Sequence, residues 1–326
     1  MAGMFLSANR AVEVLRAAGE ATRMRILALL AREELAVLEI CRVLNQSQPR
    51  VSRHLKLLAE AGLVERFPDG AWVFYRLTSA GQVGELIASI LSRVDPDDSI
   101  IERDGERLSA VWSERASEAG EYFARNAARW DEIRSLYVAE SDVEAAILEA
   151  AGPGPFPRLV DLGSGTGRML TLLGPKAEHA LGLDQSQQML NIARNQVAEA
   201  GLTQCELRHG DIFGTGLPTQ YADVVVVHQV LHYLSDPAAA VQESARLVAE
   251  GGRLVIIDFA PHRLEFLREQ HQHRRLGFTE EEMARWLGEG GLSKVHLKDL
   301  PSTRTDGLTV RIWTAEHGRE GRRNAA

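Results

Sequence analysis

The sequence predicts a multidomain chain: an N-terminal winged helix-turn-helix of α+β type, then a C-terminal Rossmann-like α/β domain with a mainly parallel, doubly wound sheet. Three observations carry this. The length of 326 residues sets a prior of two domains. A series of helical periods ends in two β-rich runs around Pro68-Asp69-Gly70. Beyond the breaker cluster Gly152-Pro153-Gly154-Pro155-Phe156-Pro157, short hydrophobic strands alternate with helical stretches, and the first of them runs into a glycine-rich turn.

Composition narrows the class. Hydrophobic residues make up 45% and charged residues 25%, the balance of a folded globular chain. No apolar run approaches the roughly 20 residues of a membrane helix. Met1 to Arg10 lacks the charged-then-apolar pattern of a signal peptide. Cys41 and Cys205 lie far apart and can build neither a disulfide framework nor a three-thiolate metal site within one chain. The expectation is a cytoplasmic protein with neither a membrane nor a metal as partner.

The net charge of −8 taken alone argues against nucleic acid, but it hides an asymmetry. Residues 1–94 hold 12 Lys/Arg against 9 Asp/Glu, so the acidity belongs to the remainder. No acid falls between Glu39 and Glu60, whereas Arg42, Arg50, Arg53, His54 and Lys56 all do. Ala21 to Ala31 and Glu34 to Asn45 both show helical spacing of Leu, Ile and Val. Ser47-Gln48-Pro49 opens a third helix, with Ser as N-cap and Pro in the first turn. On that helix Val51, Leu55 and Leu58 form an apolar stripe and the basic residues point elsewhere. After Gly62, Leu63 to Phe67 and Ala71 to Leu77 read as a hairpin. Such a basic third helix enters a major groove while the wing follows phosphates.

The run Gln48 to Leu58, then Ala61-Gly62-Leu63-Val64 and Trp72 to Leu77, resembles the DNA-binding unit of the ArsR/SmtB regulators over about the first 80 residues. The resemblance implies a homodimer on a double-stranded DNA operator. It implies that Ser47, Gln48, Arg50, Ser52, Arg53 and Lys56 face DNA, with Arg66 and Arg76 near the wing. The helix Gln82 to Val94 would join the dimer seam. Metal-sensing relatives carry thiolates in their second helix; here Ala36 and Leu38 stand at those places and neither can coordinate. Cys41 is off register and reads as a small core residue. The signal must come from elsewhere in the chain.

Elsewhere means the second domain. Its first strand ends Asp161-Leu162-Gly163-Ser164-Gly165-Thr166-Gly167-Arg168. A nicotinamide site wants Gly-x-Gly-x-x-Gly, and the sixth place here is Arg168. Asp161 would crowd a pyrophosphate but suits the cationic methionine end of S-adenosylmethionine. Asp184 ends the next strand, 21 residues after Gly163, where a carboxylate can accept ribose hydroxyls. Asp211-Ile212 follows the third strand, placed for the adenine amine.

Together with His228 to Leu234 and Glu250 to Leu254, these residues resemble the class I S-adenosylmethionine-dependent methyltransferases over roughly 120–315. The resemblance implies Gly163, Gly165 and Gly167 against the amino-acid portion, Asp184 on ribose, Met189 and Ile212 near adenine, Asp211 on its amine, and His228 beside the sulfur. Tyr122 or Trp130 would serve as a lid. Methyl transfer needs mostly alignment and water exclusion; where an acceptor must lose a proton, His228 or His232 could take it. The alternative makes both histidines pocket-wall or surface groups. The end of the fourth strand lacks an Asn/Asp-Pro-Pro-Tyr tetrad, which disfavours DNA methylation, and two cysteines do not supply the thiols of arsenite methylation. His262 to Phe278 reads as a basic helix near the acceptor pocket or a subunit contact.

The expected division is therefore 1–94 for DNA binding and dimerisation, 95–150 as a helical linker and lid, 151–316 as the methyltransferase domain, and 317–326 as a mobile tail. Two functions follow. One is a regulator whose operator affinity depends on bound S-adenosylmethionine or S-adenosylhomocysteine, by resemblance a control on methionine-cycle genes. The other is a methyltransferase acting on a small-molecule acceptor, its winged helix serving feedback or dimerisation.

Overall fold

A computed structural model describes residues 5–32, 34–69, 72–78, 81–111, 140–302 and 308–318. The chain divides into two compact units, 1–117 and 118–326. Trp112, Tyr122, Phe123, Trp130 and Tyr137, and the tail from 319, lie outside the described residues.

The first unit runs α1 (Ala8–Ala18), α2 (Ala21–Leu30), β1 (Leu35–Ala36), α3 (Val37–Leu44), α4 (Gln48–Glu60), β2 (Val64–Asp69), β3 (Trp72–Leu77) and α5 (Gly81–Leu91). Residues 99–111 form a further helix, α6. Helix α1 precedes the first helix expected from the sequence. It buries only Val14 and Ala18, so its apolar stripe is too narrow to announce it. The helix expected from Glu34 begins at Val37, because Leu35 and Ala36 pair with Tyr75 and Phe74 of the wing. Glu39 then reaches back to accept the Ala36 N–H at 2.7 Å and opens α3.

Between α3 and α4 the chain turns through Asn45 in the left-handed region, φ 52°. Ser47 takes the N-cap position of α4 in extended conformation, though its hydroxyl makes no capping bond, and Pro49 sits in the first turn. Val51, Leu55 and Leu58 are fully buried against Ile26, Ile40 and Leu63. Helix α6 joins the same core through Leu108 and Val111. Its Asp104 accepts two bonds of 2.6 Å from the Arg25 guanidinium, and this fork geometry makes a partly buried pair worthwhile.

The second unit is a seven-stranded sheet in the order β6-β5-β4-β7-β8-β10-β9. Its strands are β4 (Phe156–Leu162), β5 (Ala177–Asp184), β6 (Cys205–His209), β7 (Ala222–His228), β8 (Val248–Phe259), β9 (Leu292–Leu300) and β10 (Val310–His317). The first five are parallel, and β10 lies antiparallel between β8 and β9. Helices α7 (Glu140–Ala151), α8 (Arg168–Leu173), α9 (Gln187–Glu199), α10 (Pro237–Leu247), α11 (Phe266–His271) and α12 (Glu280–Glu289) cover it. In β7 the alternation of strand side chains sends Val225 and Val227 into one apolar layer and Val224 and Val226 into the other. The strand order reverses between β4 and β7, which opens a crevice at their carboxyl ends. No helix among the described residues is long and apolar enough to cross a membrane.

The basic helix expected over 262–278 is only the short α11, ended by Gln272 at φ 59°. His273 lies beyond it and stacks on His232, ring centroids 4.1 Å apart. His232, 1% exposed, directs Nδ1 to Asp258 Oδ1 at 2.7 Å. Burial, reinforced by the charge of neighbouring His232, pushes His262 down to about 4 and His273 far below the histidine range. The unfolded chain takes up these protons near 6.5 while the folded chain does not. Stability is therefore full above that value and is lost as pH falls through it. His273→Phe keeps a stacked ring without a titratable nitrogen. Thermal melts followed by tryptophan fluorescence should show that, between about pH 7.5 and about pH 5.5, the variant loses about 1 kcal/mol less than the parent; equal losses would contradict the burial of neutral His273.

Candidate functional site

Two surfaces carry chemistry, one in each unit. On the first, Ser47, Gln48, Arg50, Arg53 and Lys56 are exposed along one side of α4 and Ser52 is half-buried. Arg66 is exposed on β2. Arg76 is differently placed. Its guanidinium contacts Glu65 at 2.6 Å and Glu34 at 3.6 Å and lies 5.3 Å from the centroid of the Phe67 ring, so its charge is balanced within the wing. His54 turns toward Glu20 at 3.4 Å, away from the other basic groups. Where a thiolate box would stand, Ala36 is in β1, Leu38 is 53% exposed, and Cys41 packs against the core with its thiol pushed up by burial. Among the described residues no group of three His, Cys, Asp or Glu side chains is arranged to hold a metal.

The second surface is the crevice at the end of β4. Gly163, Gly165 and Gly167 adopt φ 72°, 52° and 86°, a region that L side chains rarely enter, so this turn requires all three. A Cβ on Gly163 would lie 2.5 Å from Val230 Cγ2, and one on Gly167 would lie 3.0 Å from Ala193 Cβ. The turn is tied to β5. The Gly163 and Ser164 N–H groups donate to the Leu183 carbonyl at 2.8 and 2.9 Å. Asp184 accepts from Gly165 N–H at 2.8 Å through one oxygen and from Ser186 N–H at 2.7 Å through the other. Burial pushes the Asp184 carboxyl above its ordinary value, opposed by those two N–H groups and by the charge of His209.

Asp161, Gly163, Ser164, Gly165, Thr166, Arg168, Met169, His228 and Gln229 line the cleft. Of the residues expected there, Asp161, Gly163, Gly165 and His228 are brought together, and Asp161 is fully buried. Gly167 is the N-cap of α8, and Asp184 braces the turn through the Gly165 N–H. Met189 is 2% exposed in the first turn of α9. Asp211 is exposed after β6, accepting the Phe213 N–H at 3.0 Å, and Ile212 is buried beside it. Met189, Asp211 and Ile212 do not line this cleft, and His232 faces Asp258 in the core instead.

Sequence reading overlooked Ser164, Thr166, Arg168, Met169 and Gln229. The first four lie inside or directly after the glycine motif, and their neighbourhood alone would have nominated them. Gln229 falls in the run His228 to Leu234, where nothing sets it apart, and its backbone is left-handed at φ 53°.

The family described as bacterial regulatory protein, arsR family, matches residues 20–66, and the methyltransferase domain family matches 160–256. The arsenic resistance transcriptional regulator ArsR1 of Pseudomonas putida is 38% identical over 100 residues, 30% of this chain and 77% of that protein. The arsenical resistance operon repressor of Escherichia coli is 43% identical over 68 residues, 21% of this chain and 58% of the repressor. The uncharacterized methyltransferase YcgJ of Bacillus subtilis is 24% identical over 140 residues, 43% of this chain and 54% of YcgJ. The solved structure of YcgJ gives a TM-score of 0.48 at 18% identity, covering 56% of this chain and 100% of that one. By sequence the chain matches little more than half the length of YcgJ and of the E. coli repressor. It belongs to the arsR family of bacterial regulatory proteins, with a region matching the methyltransferase domain family in the same chain.

Proposed function

We propose that the second unit binds S-adenosylmethionine or S-adenosylhomocysteine, and that the bound form sets the affinity of the winged helix, as a homodimer, for a double-stranded DNA operator. The observation that carries this reading is the braced glycine turn. Three consecutive odd positions without Cβ leave the crevice open at the start of α8, and Asp184 fixes their conformation. The rest of the cleft fits the same ligand. Fully buried Asp161 places a carboxylate where a cationic end would lie. The Ser164 hydroxyl is buried without a hydrogen-bond partner among the described residues, which a bound polar group would supply. Asp184, with two lone pairs on each oxygen, can still accept from a diol.

When bound, S-adenosylmethionine supplies an activated methyl group. The two ligand forms differ by that methyl and by one positive charge. A ligand shifts a conformational equilibrium only through such differential interaction. On the DNA side, α4 presents Arg50, Arg53 and Lys56 to solvent, and no acid lies between Glu39 and Glu60. Exposed Phe5, Val12 and Leu15 on and before α1 support a second copy of the chain covering that surface. The second reading, methyl transfer to a small-molecule acceptor, is favoured by His228 in the cleft wall, where an imidazole can take an acceptor's proton.

The test is operator binding by fluorescence anisotropy, with a duplex selected from a random pool by the full-length chain. Saturation with S-adenosylmethionine and with S-adenosylhomocysteine should give affinities differing at least about fivefold. Identical affinities, with both ligands bound, would defeat ligand control. Asp184→Ala should abolish ligand binding and leave operator binding intact. Arg53→Ala and Lys56→Ala should each weaken binding uniformly across sequences. Each removes one cation from the phosphate backbone, which should lower the slope of log affinity on log salt by about 1. An unchanged slope and affinity would remove α4 from the interface.

A further inference from the structure

Gln229 combines three properties that no other residue of the cleft wall shares. It lines the crevice beside His228. Its backbone sits at φ 53°, where a residue with a Cβ is strained. The residue is half-buried, and its carboxamide makes no hydrogen bond among the described residues. Strain of this kind persists only where the surroundings over-determine it, and here they do. The Gln229 N–H donates to the Ile257 carbonyl of β8 at 2.7 Å. Val230 then packs onto the one position of the glycine turn where a Cβ would lie 2.5 Å from it. Three residues after Gln229, His232 is anchored to fully buried Asp258 through Nδ1 at 2.7 Å and its backbone N–H at 3.3 Å. The turn after β7 is therefore pinned to β8 on both sides of Gln229, and this holds a polar side chain at the crevice in a conformation glycine would adopt at lower cost.

Strand order says which part of a ligand this side chain meets. Asp184 ends β5 and Asp211 follows β6, both to one side of β4. A nucleoside held over those ends leaves the sulfur-bearing end of the same molecule over β4 and β7, where Asp161, His228 and Gln229 lie. We propose that Gln229 is a specificity-determining residue that distinguishes a sulfonium from a thioether at the sulfur end of the ligand, its carboxamide oxygen favouring the positively charged form. This rests on the proposed adenosyl ligand. A neutral amide makes the preference modest, so both ligand forms are admitted, as a sensor of their ratio requires. A carboxylate in its place would make the preference steep.

The experiment is calorimetric titration of the full-length chain with S-adenosylmethionine and, separately, S-adenosylhomocysteine, for the parent, Gln229→Glu and Gln229→Leu. Glu should move the ratio of the two dissociation constants about tenfold or more toward the sulfonium, because a full charge replaces a dipole in a partly desolvated wall. Leu should move it about threefold or more the other way, because the dipole is removed. The opposite signs keep the proposal testable if one variant fails to fold. Ratios unchanged within about twofold in the variants that fold would overturn it. A parent chain that binds neither compound would instead overturn the proposed ligand class, and with it this inference; a parent that binds both while the ratio stays fixed overturns the role of Gln229 alone.

Discussion

Asp184 commits both carboxylate oxygens to backbone N–H groups, one from Gly165 in the turn after β4 and one from Ser186 at the start of α9. That single side chain links the glycine turn, the end of β5 and the helix that follows it. The turn has no side-chain packing of its own to define it, since its defining positions are glycines with positive φ. Its shape is instead imposed by neighbours: the Leu183 carbonyl, the Asp184 carboxylate, Val230 above Gly163 and Ala193 beside Gly167. The crevice is thus a consequence of how β4, β5 and β7 are ordered in the sheet, and its lining is set by what those neighbours place along it.

The two units solve opposite electrostatic problems. In the winged helix Arg25 pairs with Asp104 and Arg76 with Glu65 and Glu34, while Arg50, Arg53 and Lys56 of α4 stay exposed. Lys56 has Glu60 at 3.8 Å, both exposed, and the cations still outnumber the acids on α4, an arrangement that a polyanion rewards. The second unit buries carboxylates at strand ends, with Asp161 and Asp258 fully enclosed and Asp184 pushed toward neutrality by burial and held back by hydrogen bonds. Buried carboxylates are costly unless something compensates them. For Asp258 the compensation is visible in His232 and in the Phe259 N–H, and that pair also fixes the turn bearing His228 and Gln229.

Much of this was legible in the sequence, because the signals were periodic. Continuous runs such as Val224 to Val227 fixed the buried parallel strands, and the Val51, Leu55, Leu58 stripe fixed α4. The glycine spacing locates the crevice. Other features were hidden for physical reasons. β9 carries Lys294, His296, Lys298 and Asp299, so an edge strand exposed on most of its length shows no apolar pattern. β1 is two residues long and exists only by pairing with the wing, a long-range pairing that local periodicity cannot reveal. Arg76 is indistinguishable by sequence from the other wing cations, because folding is what brings Glu65 and Glu34 to it. His232 read as chemistry from its type and position, and its burial against Asp258 comes from a strand 26 residues away. Gln229 lies in the His228 to Leu234 run, but nothing there marks its left-handed backbone, which at a glutamine is set entirely by its surroundings.

The central claim is that occupancy of the crevice and occupancy of the DNA-reading surface are coupled, and such coupling is reciprocal. Its most direct measurement is the dissociation constants of S-adenosylmethionine and of S-adenosylhomocysteine, each for the free full-length chain and for the same chain saturated with its selected duplex. The account predicts that duplex changes the ratio of the two constants by the same factor, about fivefold or more, by which the two ligands differ in their effect on DNA affinity. A ratio unchanged by duplex, with ligand and duplex bound together, would contradict it.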